Sequence, residues 1–163
     1  MNYTQARAGI GPVLVGAVLL ALATASIHLY LFVVEGYLGS GTMLPIYQLL
    51  FINNVLAYVT LAVALVLPIS PLPQVRPVTR TLLTAIGVAS IVSYYHVGVI
   101  DLFGNIDKII EVLLIVLLTI NAAMSGQEFG RRYPRGVLGA TVQLVVGVVL
   151  GIGMFLFLRP LLV

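Results

Sequence analysis

The stretch SYYHVGVIDLFGNIDKIIE, residues 93–111, decides how many times this chain turns back on itself. It gathers a histidine, three carboxylates, an asparagine and a lysine in a sequence that otherwise avoids such groups. Apolar runs flank it on both sides. The simplest reading makes it the end of one helix, a short turn, and the start of the next. On that reading the carboxylates mark a loop at the membrane surface, with Asp107 and Glu111 hydrated and partly paired with Lys108. His96 and Glu111 are then left over, because topology alone gives neither a reason to be there.

Working outward, five segments approach the roughly 20 apolar residues that a membrane-spanning helix needs. They cover about 9–34, 46–67, 81–101, 107–124 and 137–158. The first is long enough to tilt, and the fourth is short and begins with charge. The intervening segments read as connections. EGYLGSGTMLP (Glu35–Pro45) is rich in glycine and ends in proline, and SGQEFGRRYPRG (Ser125–Gly136) is the most polar stretch. PISPLPQVRPVTR (Pro68–Arg80) holds four prolines and predicts an extended linker outside the bilayer. Arg7 followed by an apolar run and ATA (Ala23–Ala25) resembles a secretory leader, but the run continues to Val34, as an uncleaved span would.

Composition agrees with lipid as the solvent. Hydrophobic residues make up 61% of the 163 positions and charged ones 8%, too few to cover a soluble surface. The formal charge of +3 is too dispersed for a nucleic-acid surface, so no nucleic-acid partner is expected. The chain has no cysteine, which excludes disulfides, thiol catalysis and iron–sulfur ligation. Arg7, then Arg76 and Arg80, then Arg131, Arg132 and Arg135 fall on alternate connections, with only Arg159 dissenting. The positive-inside rule therefore puts the N-terminus in the cytoplasm and the C-terminus outside. The expectation is one all-α domain over residues 1–163: an integral membrane bundle of five transmembrane helices, multi-pass in the cell (cytoplasmic) membrane.

That orientation collects polar residues in the outer leaflet. His28 lies ~10 Å outward from the centre of the first span and His96 ~8 Å outward from that of the third. Asn53 and Asn54 in the second span, Tyr95 in the third and Glu111 in the fourth share this zone, as do Tyr30, Tyr37, Tyr47 and Tyr94. Small residues at helical spacing mark buried seams. These lie on the faces formed by Ala21, Thr24, Ala25, His28, Phe32 and Glu35; Asn53, Ala57, Thr60 and Ala64; Ala85, Ala89, Ser93 and His96; and Gln143, Gly147 and Gly151.

Three chemistries suit such a cluster. Imidazoles at matching depth, His28 and His96, are candidate axial ligands of a haem b iron. His28, His96 and Glu111 together are a candidate site for zinc, copper or iron. A quinone headgroup or a proton path could use His96 and Glu111. Against all three stands plain hydrogen bonding, with each histidine satisfied by a carboxylate, tyrosine or carbonyl. Asn53 and Asn54 read more readily as braces between helices than as substrate contacts. GYLGSGT lacks a P-loop lysine, and no hydrolase order of Ser, His and Asp stands out.

HLYLFVVEGY (28–37) followed by LPIYQLLFINN (44–54) resembles a pattern in small, largely uncharacterised bacterial polytopic membrane proteins. In these a first-span histidine precedes a Gly-Tyr turn and a Leu-Phe-x-x-Asn second span. The resemblance covers mainly residues 26–67, with a looser echo from Phe103 to Glu111. It implies a membrane bundle and draws attention to His28, Tyr37 and Asn54, but carries no activity with it. Such proteins commonly have four spans, whereas a fifth is expected here.

With little chain outside the bilayer, the functional expectation is a small integral-membrane subunit of a larger, respiratory or otherwise redox complex. Its partners would be lipids and other membrane subunits, and its outer cluster would bind haem b or quinone. The alternative is a stand-alone carrier or channel for protons or a small solute. Enzymatic activity of the chain on its own is the least supported class.

Overall fold

The computed structural model describes residues 11–35, 38, 44–69, 72–98, 100–125 and 136–162, excepting the side chains of Pro73 and Gln74. Arg7, Tyr37, Arg131, Arg132 and Arg135 lie outside the described residues, and so do most positions of two expected loops. Among the described residues there are five α-helices and no strand. They are α1 (Pro12–Val33), α2 (Pro45–Val66), α3 (Leu72–Val97), α4 (Leu102–Met124) and α5 (Gly136–Leu158), with a single 3₁₀ turn, η1, at Arg159–Leu161.

Local sequence accounts for most boundaries. Pro12 and Pro45 occupy the first turns of α1 and α2, where a missing N–H removes no helical bond. Gly98, at φ +76°, ends α3 in the left-handed conformation that glycine adopts without penalty, and its N–H reaches the Tyr94 carbonyl at 3.2 Å. Asp101 caps α4 by accepting from the Gly104 N–H at 2.7 Å.

The extended linker expected over Pro68–Arg80 gives way to helix from Leu72 onward. Pro77 sits inside that helix as its sixth residue, about one turn in, so its missing N–H removes a single bond near the helix start. The extension has two structural effects. It lets Arg76 Nε donate to the Leu65 carbonyl at 3.1 Å, satisfying an acceptor in the last turn of α2. It also carries Arg80 into the bundle rather than leaving it in a surface loop.

Helix α4 lies at the heart of the packing, against α1, α3 and α5, while α3 also packs against α2 and α5. The core joins Leu14, Ala17, Ala21 and Ala25 of α1 to Tyr58, Ala62 and Leu65 of α2, with Leu83, Leu114 and Leu118. The α1 seam is as expected from Ala21 to Phe32, whereas Glu35 lies beyond the helix end and is exposed. On α2 the buried face is Tyr58, Ala62 and Leu65, with Asn54 partly buried, whereas Asn53 and Thr60 of the expected seam are exposed. Gly147 and Gly151 do face α3. A Cβ at Gly147 would stand 2.7 Å from the Thr84 side chain, and one at Gly151 2.5 Å from the Ala85 carbonyl oxygen. The GxxxG step therefore serves packing within the bundle.

The outward faces carry Leu19, Leu56, Val116 and Val149, all exposed, as a lipid-facing surface requires. Among the described residues, four helices are long and apolar enough to cross a membrane. Helix α4 is equally long, but Asp107, Lys108 and Glu111 set it apart. The protein is thus a multi-pass membrane protein built as a transmembrane helical bundle.

Candidate functional site

Asp107, Lys108 and Glu111 do not mark a loop. All three are buried, on the inward face of α4, and only Asp101 of the three carboxylates in the 93–111 stretch belongs to the turn. Buried charges are costly unless paired, and here the pairing is complete. Lys108 Nζ donates to Asp107 Oδ2 at 2.8 Å, to Glu111 Oε2 at 2.8 Å and to Ser90 Oγ at 2.6 Å. An ammonium has three N–H bonds, so all of its donors are spent. Tyr58, wholly buried, donates its hydroxyl to Glu111 Oε1 at 2.8 Å, and Thr24 donates to Asp107 Oδ1.

His28 completes the network from α1. Its Nδ1–H donates to the Thr24 carbonyl at 2.9 Å, which leaves Nε2 to accept from Asn54 Nδ2 at 3.2 Å. That pattern assigns the neutral tautomer with the proton on Nδ1. Nδ1 also lies 3.7 Å from Asp107 Oδ1. Four helices thus meet at one network, and among the described residues no buried side-chain nitrogen or oxygen lacks a partner.

The network forms part of the wall of a cavity of about 430 Å³. His28, Asn54, Ser90, Asp107 and Lys108 supply polar groups, while residues such as Leu31, Phe51, Ile86 and Met154 make the rest mainly apolar. Leu158 and Leu162 line it from the chain's C-terminal end, where Tyr47 donates its hydroxyl to the Leu162 carbonyl at 2.7 Å. This bond ties α2 to the segment that follows α5.

The expected site residues divide accordingly. His28, Asn54 and Glu111 belong to one network, with Glu111 fully buried behind the cavity wall. His96 does not join them. It is exposed at the end of α3, with its ring edge-on to Phe155 at 5.1 Å, whereas the His28 ring packs near Phe51 and Tyr58. Asn53 and Tyr95 are exposed, and Tyr95 packs edge-on against Tyr94. The two histidines therefore do not share a site, so their similar expected depth does not translate into facing imidazoles.

A different set of metal-capable groups converges. One ligand atom each from His28, Asp107 and Glu111 falls within 4.8 Å of the others. Lys108 already bonds both carboxylates there, so the protein supplies its own cation to the group. Asp107 and Lys108 were not among the residues expected at this site. Their i, i+4 and i, i+3 relation to Glu111 was the available signal, since it places three charges on the stripe that α4 buries.

A second polar network occupies the opposite end of the bundle and was not expected. Buried Arg80 donates to Asn121 Oδ1 at 2.7 Å, Ser125 Oγ at 3.0 Å and Gln143 Oε1 at 3.2 Å. Between the two networks on α4 stand Leu114 and Leu118, with Leu83 beside them on α3, all essentially without exposure. Compared with known protein families, curated proteins and solved structures, the chain matches none.

Proposed function

We propose that the protein is a small integral-membrane subunit whose cavity holds the headgroup of a membrane quinone. The observation that carries this reading is a cavity with mainly apolar walls and one polar wall, built from His28, Asn54, Ser90, Asp107 and Lys108. A quinone headgroup is a flat apolar ring with polar atoms at its rim, attached to a lipid-soluble tail. Ligand sites of this kind pair broad apolar contact with few, fixed polar groups. The alternation of arginines supports placing this end of the bundle in the outer leaflet of the cytoplasmic membrane, with five spans in all. Helix α4 then crosses as an internal span, because its three charges are paired inside the bundle rather than presented to lipid.

Of the two cofactors expected from the sequence, quinone is favoured over haem b by the surroundings of His28. Both of its ring nitrogens are already hydrogen-bonded, and the second histidine lies outside the cavity wall. Conduction of protons or a small solute is disfavoured by the layer of Leu83, Leu114 and Leu118. It separates the two polar networks over ~15 Å from Glu111 to Asn121 along α4.

The test is to purify the protein from quinone-containing membranes, record its absorption spectrum and quantify extracted quinone. Near-stoichiometric quinone without a Soret band is the expected result. Its loss in Ala89→Phe, which fills the cavity away from the ion pairs, would tie the quinone to this site. Quinone at the level of bulk lipid would refute the proposal.

A further inference from the structure

The unused hydrogen-bonding capacity of the polar wall is mostly accepting, and this bears on which form of a redox ligand fits. Resting on the quinone reading above, we infer that the cavity selects the reduced quinol over the oxidised quinone, with Asp107 as the residue that distinguishes them. A quinone presents two carbonyl acceptors at its rim, whereas the quinol presents two O–H donors. The wall must therefore offer donors to hold the first and acceptors to hold the second.

The donors are largely committed. All three N–H bonds of Lys108 are spent on Asp107, Glu111 and Ser90. The Nδ1–H of His28 goes to the Thr24 carbonyl, and the Tyr47 hydroxyl proton to the Leu162 carbonyl. Asn54 spends one of its two amide protons on His28, leaving the other, and the Ser93 hydroxyl on the same cavity wall adds one more.

Asp107 differs in kind. Each of its carboxylate oxygens has two lone-pair sites, and the structure uses one on Oδ1, for Thr24, and one on Oδ2, for Lys108. Asp107 borders the cavity, so its remaining sites are available to a donor placed there. The local charge points the same way. The Asp107 carboxylate borders the cavity beside an uncharged imidazole, and the one nearby ammonium is divided between Asp107, Glu111 and Ser90. A ligand oxygen that brings a proton toward the Asp107 carboxylate is favoured, and a bare carbonyl oxygen is repelled. Hydrogen bonds to a charged acceptor outweigh neutral ones, so the discrimination falls on this contact. Glu111 has the same chemistry but is shielded behind the wall and committed to Tyr58 and Lys108.

The experiment measures binding of decyl-benzoquinol and decyl-benzoquinone to the protein in lipid nanodiscs, by anaerobic titration calorimetry. The quinol is expected to bind at least about tenfold more tightly than the quinone, the scale of one hydrogen bond to a charged group. In Asp107→Asn the ratio should fall to within about threefold, chiefly through weaker quinol binding. Equal affinities in the wild-type protein, or tighter quinone binding, would overturn the inference while leaving the quinone site in place. Failure of both forms to bind saturably would overturn the site itself. The wild-type ratio decides the matter even if Asp107→Asn does not fold.

Discussion

Replacing Lys108 by methionine tests whether the charges of α4 are buried and mutually dependent. Methionine keeps most of the side-chain volume but removes the ammonium that lies 2.8 Å from Asp107, 2.8 Å from Glu111 and 2.6 Å from Ser90. Two carboxylates are then left in the bundle with no internal cation between them. Removing one member of a buried pair typically costs about 3–5 kcal/mol, because the remaining charge is stranded. For a chain of this size that corresponds to a fall of roughly 6–20 °C in unfolding temperature. Glu111→Gln behaves differently on the same geometry. It leaves one anion, Asp107, opposite one cation, Lys108, and an amide oxygen that still accepts from Tyr58, so it should cost less than Lys108→Met. Introducing Glu111→Gln into Lys108→Met should recover about 1 kcal/mol or more, since it removes one of the stranded charges. The assay is thermal unfolding of the detergent-solubilised protein followed by circular dichroism. Surface ion pairs are worth about 0–1 kcal/mol, so a Lys108→Met effect below about 1 kcal/mol would place these groups in water. Glu111→Gln proving worse than Lys108→Met would refute the charge count.

Other expectations are open to the same unfolding assay. Tyr58→Phe removes the hydroxyl that Glu111 accepts and should cost about 1.5–3 kcal/mol, the range for a hydrogen bond to a charged group. Gly151→Ala forces a methyl group against the Ala85 carbonyl and Val88 and should cost about 1–3 kcal/mol, whereas Gly153→Ala, with open space around it, should be neutral or slightly stabilising. The absence of cysteine lets single cysteines report topology. A cysteine at Ile100, exposed between α3 and α4, should react with an impermeant maleimide added outside intact cells, and protection there would reverse the proposed orientation.

Much of the bundle was legible because lipid leaves a chain few choices. Apolar runs of spanning length had to be helices, and the spacing of Ala21, Ala25 and His28 correctly identified the buried stripe of α1. The Gly147–Gly151 seam was equally readable, since small residues at i, i+4 permit close backbone approach. Proline misled the reading of Pro68–Arg80, because its position within the first turns of a helix decides whether it breaks or fits. The site was half-legible. His28, Asn54 and Glu111 lie on inward faces, but residues on different helices at one depth do not thereby meet, as His96 shows by turning to Phe155. Charge near a helix start reads as surface in the sequence, although three groups at i, i+1 and i+4 can pair with one another and be buried as a unit. The exposed Asn53 shows the limit of face assignment on α2. Two adjacent asparagines point about 100° apart, and only packing against α1 selects Asn54.

The proposed docking of a membrane quinone at the cavity wall formed by His28, Asn54, Asp107 and Lys108 can be tested on the protein in place. The most direct test is photolabelling with an azido-quinone in native membranes, followed by peptide mass spectrometry. The expected result is saturable labelling in Ser90–Val97 of α3 and Leu102–Lys108 of α4, displaced by excess unlabelled quinone and absent in Ala89→Phe. Labelling spread evenly over the lipid-facing positions Leu19, Val116 and Val149, and undiminished by competitor, would contradict it.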